Sequence, residues 1–214
     1  VTAKPDNGPG FESFLYPGMM AGHAMAANDA GIVQTINNIR VHDLKPGIPR
    51  HLICRAILDC TTMDEALTWL QREDRAGGFH HNLGSAKEGR LVSVEAPASG
   101  FSAKEISSRP SAHANHLIFD ELKDIPQEIS KSSSVRQPRA DELLKQGALD
   151  DGGATRILFE ALPEHEILRE PDDSGDDYGK TLGTGIFEMN EDSLTISIHD
   201  GPKNRDVYTN QIAF

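Results

Sequence analysis

Cysteine, basic charge and long apolar runs are all scarce in this chain. Of its 214 residues two are cysteine, Cys54 and Cys60, too few for a disulfide framework. They stand six positions apart on a predicted helix, a spacing that does not bring two thiols together. Lys and Arg number 21 against 33 Asp and Glu, for a formal net charge of −12 and a pI near 5.1. That balance argues against nucleic acid or an anionic membrane as the main partner, although a local basic pocket can oppose the global sign. No apolar stretch approaches the roughly 20 residues of a membrane-spanning helix. The first residues, "VTAKPDNGPG", lack the basic n-region and apolar core of a secretory signal, so a cytoplasmic location is expected. They also lack an initiator Met, and the chain reads as processed or trimmed at Val1. No repeat, low-complexity tract or composition break divides the chain, so one domain over residues 1–214 is expected.

What is present is a regular pattern of elements. "IVQTINNIR" alternates, with Ile32, Gln34, Ile36 and Asn38 on one face and Val33, Thr35 and Asn37 on the other. It follows "NDAG", a hairpin turn rich in residues that tolerate positive φ. "RHLICRAILDC" predicts a helix whose stripe is Ile53, Ala56, Ile57 and Cys60. "TTMDEALTWLQRE" predicts a second helix, opened by a capping box of Thr62 and Glu65 and buried through Ala66, Trp69 and Leu70. "GGFHHNLGSA" and "LVSVEAP" read as strands around the turn "KEGR", and "SAHANHLIF", residues 111–119, reads as another. The tract from Asp120 to Arg139 reads as a surface loop with a short helical piece, before helices in "ADELLKQG" and "TRILFEAL". "DDSGDD", residues 172–177, lacks the spacing of a calcium loop and reads as a solvated loop. Three strands at hairpin spacing close the chain. Strands, helix pair, strands, helix pair, strands predicts an α+β fold, a four-layer αββα sandwich. If Val1 opens a strand, part of one sheet is expected from a segment N-terminal to this chain.

The histidines invite a metal reading, which the pattern does not favour. His113 and His116 are three apart on a predicted strand and so face opposite sides, and adjacent His80 and His81 do the same. No metal is expected. Cys54 and Cys60 are candidates for an internal nucleophile, but buried free cysteines are commonly inert.

The run "YPGMMAGHAMAANDAGIVQTINNIR", then "PGIPRHLICRAILDCTTMDEAL", "LVSVEAP" and "HANH", resembles the autoproteolytic acyltransferases and amidohydrolases related to isopenicillin N acyltransferase. These are N-terminal-nucleophile hydrolases, and the choloylglycine hydrolases and penicillin V acylase are more distant relatives. The resemblance implies the αββα fold and an amide hydrolase or acyltransferase working through an acyl-cysteine, with no cofactor. It implies a precursor that cleaves itself before a cysteine, whose own α-amino group then serves as base. Val1 is not that cysteine. The nucleophile is therefore expected on a separate N-terminal segment, the obligatory partner, beside a small N-acyl substrate. A homo-oligomer of such heterodimers fits the same reading. The alternatives are a catalytically inactive binding module of the same fold, or a hydrolase using Cys54 or Cys60.

By the same resemblance Asn115 matches an asparagine whose side-chain amide donates to the oxyanion. A pocket asparagine falls at Asn37 or Asn38. Strand alternation lets only one of them face the pocket, and Asn37 is favoured. Arg136, in an R-x-x-R with Arg139, and Arg169 match site arginines suited to a substrate carboxylate, and His116 is expected beside the substrate.

Overall fold

A computed structural model of the chain describes residues 1–147, 153–161, 167–169, 180–201 and 205–214. In chain order the first strands are β1 (Thr2–Ala3), β2 (Phe11–Ser13), β3 (Met25–Asn28), β4 (Ile32–Asn38) and β5 (Arg40–Val41). Helices α1 (Arg50–Ile57) and α2 (Met63–Gln71) follow. Next come β6 (Phe79–Ser85), β7 (Arg90–Ala96), β8 (Ser102–Glu105) and β9 (Gln127–Glu128). Helices α3 (Lys131–Lys145) and α4 (Gly153–Leu158) precede β10 (Gly183–Asn190), β11 (Ser193–Asp200) and β12 (Arg205–Ala213).

Seven strands form one antiparallel sheet in the order β1-β2-β3-β4-β6-β7-β8, and β10-β11-β12 form a second. The predicted alternation of β4 decides what covers each face of the large sheet. Ile32 joins Leu83, Val92, Val94 and Ala96 in a core with Ile53, Ile57, Met63, Ala66 and Leu70 of the first helix pair. Val33, one residue on, packs with Ala27 against Leu194 and Ile196 of the small sheet. Each fully buried aliphatic side chain of this kind contributes roughly 1.5–3 kcal/mol. The two sheets approach closely where side chains are missing. A Cβ on Gly84 would lie 2.6 Å from the Met189 sulfur, and Gly185 leaves room for Met25. On the outward face of the small sheet, Phe159, directly after α4, meets the ring of His199 at 5.5 Å. The layers are thus helices, sheet, sheet, helix, the αββα order.

The start of α2 follows local rules. Thr62 accepts from the backbone N–H of Glu65, and Glu65 reaches back to the N–H of Thr62, the expected capping box. Three predicted elements differ. Helix α1 ends at Ile57, so Cys60 lies beyond it, although it is still in the core and places its Sγ 3.6 Å from the Ala56 carbonyl. Helix α3 starts at Lys131, well inside the predicted surface loop, and contains Pro138. Its buried stripe is Ser133, Gln137, Ala140 and Leu143. The spacing is helical but half the stripe is polar, which hid it from a hydrophobic-periodicity reading. Finally, residues 111–119 are not a strand. They pair with no strand, and side chains accept from five of their backbone N–H groups instead. Strand alternation therefore does not separate His113 from His116; their partners do, Glu95 for the one and Ser133 for the other. The acidic tract "DDSGDD" lies outside the described residues.

Candidate active site

The site lies where β4 ends. Alternation points Asn37 into the space between the sheets, on the side of Val33, and Asn38 the other way. Asn37 Nδ2 donates to the His113 carbonyl at 2.7 Å and to His80 Nδ1 at 3.1 Å. An amide nitrogen only donates, so Nδ1 of His80 is the acceptor and its proton sits on Nε2, 2.8 Å from Ser93 Oγ. His80 is wholly buried. Burial first, then the neighbouring His113 and His81, holds its pKa well below the ordinary histidine value. His113 stacks on it with ring centroids 3.4 Å apart, and gives Nε2 to Glu95 Oε1 at 2.8 Å. The Nδ1 of His113 faces the Ala114 carbonyl at 2.9 Å.

Asn115 sits above this network. Its Oδ1 accepts from Arg136 Nη2 at 2.7 Å, and its Nδ2 donates to the Asn38 carbonyl at 3.0 Å. The amide is therefore fixed at both ends, with the nitrogen identified by its acceptor and one further N–H in hand. Asn38, Asn115, Arg136 and Arg169 line one cleft of about 210 Å³, together with the Arg40–Glu128 ion pair of 2.5 Å. Arg169 is placed there by its backbone. Its N–H donates to Thr181 Oγ1, and its carbonyl accepts from the Thr181 N–H, both at 2.9 Å. Three guanidinium groups and one carboxylate, that of Glu128, thus stand in the wall of this cleft in a chain that is acidic overall.

The expected site residues thus fall into two groups. Asn38, Asn115, Arg136 and Arg169 are brought together at the cleft. Asn37 and His116 lie behind it. His116 Nδ1 meets Ser133 Oγ at 2.7 Å, and burial chiefly lowers its pKa. Arg139 is held elsewhere, with Nε 3.0 and 2.8 Å from the two oxygens of Glu160 and Nη1 2.8 Å from Glu142. Cys54 and Cys60 are both buried, and burial pushes each thiol up to about 11. His80 and His81 point to opposite faces of β6, and among the described residues no group of three or more His, Cys, Asp or Glu could hold a metal. Glu95 escaped the sequence reading. The signal was there: a lone carboxylate inside the apolar strand "LVSVEAP" is out of place unless something buried needs it.

A second cavity of about 240 Å³ lies between the sheets, walled by Phe14, Met25, Phe187, Ile196 and Ile198. At its rim Glu12 of the large sheet accepts from Tyr208 Oη of the small one at 2.7 Å.

Three comparisons bear on this arrangement. The sequence model of a family described as acyl-coenzyme A:6-aminopenicillanic acid acyl-transferase matches residues 1–203. The β-alanyl-dopamine/carcinine hydrolase of Drosophila melanogaster is 24% identical over 216 residues, covering 92% of this chain and 53% of that protein. The chain thus spans about half the length of the curated relative it matches. A crystal structure of a mutant conjugated bile acid hydrolase from Clostridium perfringens superposes with a TM-score of 0.61 at 11% identity, over 96% of this chain and 77% of that one. At that identity the likeness is one of fold. No helix among the described residues is long and apolar enough to cross a membrane.

Proposed function

The chain belongs to the acyl-coenzyme A:6-aminopenicillanic acid acyl-transferase family, and from that premise we propose that it is the larger part of a cysteine N-terminal-nucleophile amidohydrolase or acyltransferase. The nucleophile is a cysteine outside residues 1–214, on an N-terminal segment, with its α-amino group freed by self-cleavage just before it. The observation that carries this reading is the convergence of Asn38, Asn115, Arg136 and Arg169, from separate parts of the chain, on one cleft.

In this reading the upstream thiolate attacks the carbonyl carbon of a small N-acyl amide. The α-amino group of that cysteine takes the thiol proton and returns it to the departing amine as the C–N bond breaks. With an ordinary pKa near ~7.7–8, an α-amine can do both at neutral pH. The acyl-cysteine is then attacked by water, giving hydrolysis, or by a second amine, giving transfer. Asn115 donates its amide N–H to the oxyanion. A neutral amide held by Arg136 and the Asn38 carbonyl needs no reorientation as charge develops. Asn37, fixed by His80 and the His113 carbonyl, supports the same site from the inter-sheet face. Arg136 and Arg169 bind an anionic group of the substrate, with Asn38 and His116 completing its surroundings.

An internal nucleophile is disfavoured by position. A thiol must ionise to react, and both cysteines are buried with the thiol pushed up to about 11. The test uses the full-length protein, with its upstream segment, quenched during turnover of N-acyl amides and digested for mass spectrometry. The expected result is a single acyl adduct on a cysteine upstream of Val1. An adduct on Cys54 or Cys60, or turnover without any upstream cysteine, overturns the proposal.

A further inference from the structure

Residues 113–119 belong to no sheet, yet five of their seven backbone N–H groups have a side chain waiting for them. Ala114 N donates to Gln137 Oε1, Asn115 N to Ser133 Oγ and Leu117 N to Gln127 Oε1, each at 2.7 Å. Ile118 N donates to Glu95 Oε1 at 2.6 Å, and Phe119 N lies 3.2 and 3.3 Å from the two oxygens of Glu95. The carbonyls are treated alike. Gln137 Nε2 donates to Ala112 O at 3.0 Å and Gln127 Nε2 to Leu117 O at 3.2 Å. Each glutamine amide thus does for this loop what a neighbouring strand does in a ladder.

Resting on the assignment of Asn115 to the oxyanion, we propose that Glu95, Ser133, Gln137 and Gln127 are positioning residues that hold the 113–119 loop so that the Asn115 amide is aimed, with Glu95 as the principal one. None of the four lines the cleft. Glu95 and Ser133 are 0% exposed and Gln137 is 6%. A carboxylate without solvent is tolerated only when its lone pairs are filled. Among the described residues, Glu95 takes its hydrogen bonds from the loop alone: two N–H groups and the Nε2 of His113. The four side chains come from β7, β9 and α3, and all of them meet on the one irregular segment that carries Asn115. A carboxylate serving fold stability in general would have no reason to spend every bond there.

The test is a double-mutant cycle in the full-length enzyme, using whichever N-acyl p-nitroanilide it turns over, with amide exchange of the loop as a readout independent of activity. Asn115→Ala is expected to lower kcat by about 10²–10³-fold. Glu95→Gln keeps the shape of the side chain but leaves the N–H groups and His113 one oxygen to share. It is expected to lower kcat by about 10²-fold, with KM changed less than about threefold. It should also speed exchange at Leu117, Ile118 and Phe119. In the Asn115→Ala background Glu95→Gln should lower kcat no further, because the amide it aims is gone. If kcat falls by the same factor in both backgrounds, or stays intact while the loop amides exchange freely, the positioning role is overturned. If Asn115→Ala itself leaves kcat unchanged, the oxyanion assignment falls first and this inference with it. Should Glu95→Gln not fold, the half-exposed Gln127→Leu carries the same cycle, with an expected loss of about tenfold and the same overturning outcomes.

Discussion

The β6–β7 hairpin and the 113–119 loop sit side by side and are held by opposite means. In the hairpin, Phe79–Ser85 pairs residue for residue with Arg90–Ala96, so the backbone satisfies itself and the side chains are free to specialise. His80, Ser93 and Glu95 use that freedom on the inter-sheet face. In the loop the backbone joins no ladder, and side chains from elsewhere accept from five of its seven N–H groups. The hairpin can therefore lose a polar side chain and keep its shape, whereas the loop has its conformation stored in residues distant in sequence. The asymmetry suits their roles. A ladder makes a rigid floor, and a side-chain clamp can set an angle that no regular strand adopts.

The largest expected effect comes from removing the clamp. Glu95→Ala should destabilise the protein by about 3–5 kcal/mol in urea denaturation, because it strands a buried histidine and two N–H groups at once. A loss under about 1 kcal/mol would mean that the loop re-satisfies itself and that the contrast with the hairpin is overdrawn.

Next is pH, which tests the floor. Burial, then Arg50 and Arg75, lowers the pKa of His81 to about 3, and His80 also lies well below its ordinary value. Unfolded, each titrates near ~6.5. Below that pH the unfolded chain binds protons that the folded one refuses, so stability is full above about 6.5 and falls as the pH drops. One unit below, each histidine should remove about 1.4 kcal/mol. Urea midpoints at several pH values measure this, and the decline should shrink in His81→Asn. An unchanged midpoint between neutral and mildly acid pH would contradict neutral, buried histidines.

The smallest effect is expected on the ladder itself. Asn82 Nδ2 donates to Thr35 Oγ1 at 3.3 Å across β6 and β4. Asn82→Ala leaves the backbone pairing of Thr35 with Asn82 in place and should change stability by less than about 1 kcal/mol. A loss comparable to that of Glu95→Ala would erase the distinction between ladder and clamp.

This distinction also governs what could be read in advance. The alternation in "IVQTINN" divides the residues of β4 between two faces, and the structure packs one against the helices and the other against the second sheet. The capping box at Thr62 and the three closing strands were equally visible, because each signal is complete within a few residues. The full length of α3 is not legible in the sequence, since its buried stripe includes Ser133 and Gln137 and polar residues carry no hydrophobic period. Residues 111–119 have the apolar composition of a strand, which says nothing about whether another strand pairs with them. Sequence spacing separated Asn37 from Asn38. Which of them reaches the cleft depended on the loop packed over the end of the sheet, and it is Asn38.

By itself, then, the sequence determined the layers, because burying one face of each strand and helix is a matter of local period and every hairpin closes within a short span. The tertiary structure alone decided the site. Asn115 owes its orientation to Arg136 and Asn38, and its loop to Glu95, Ser133, Gln137 and Gln127. These bonds join residues up to 77 positions apart, and a hydrogen bond across such a distance leaves no periodic trace in the chain that forms it.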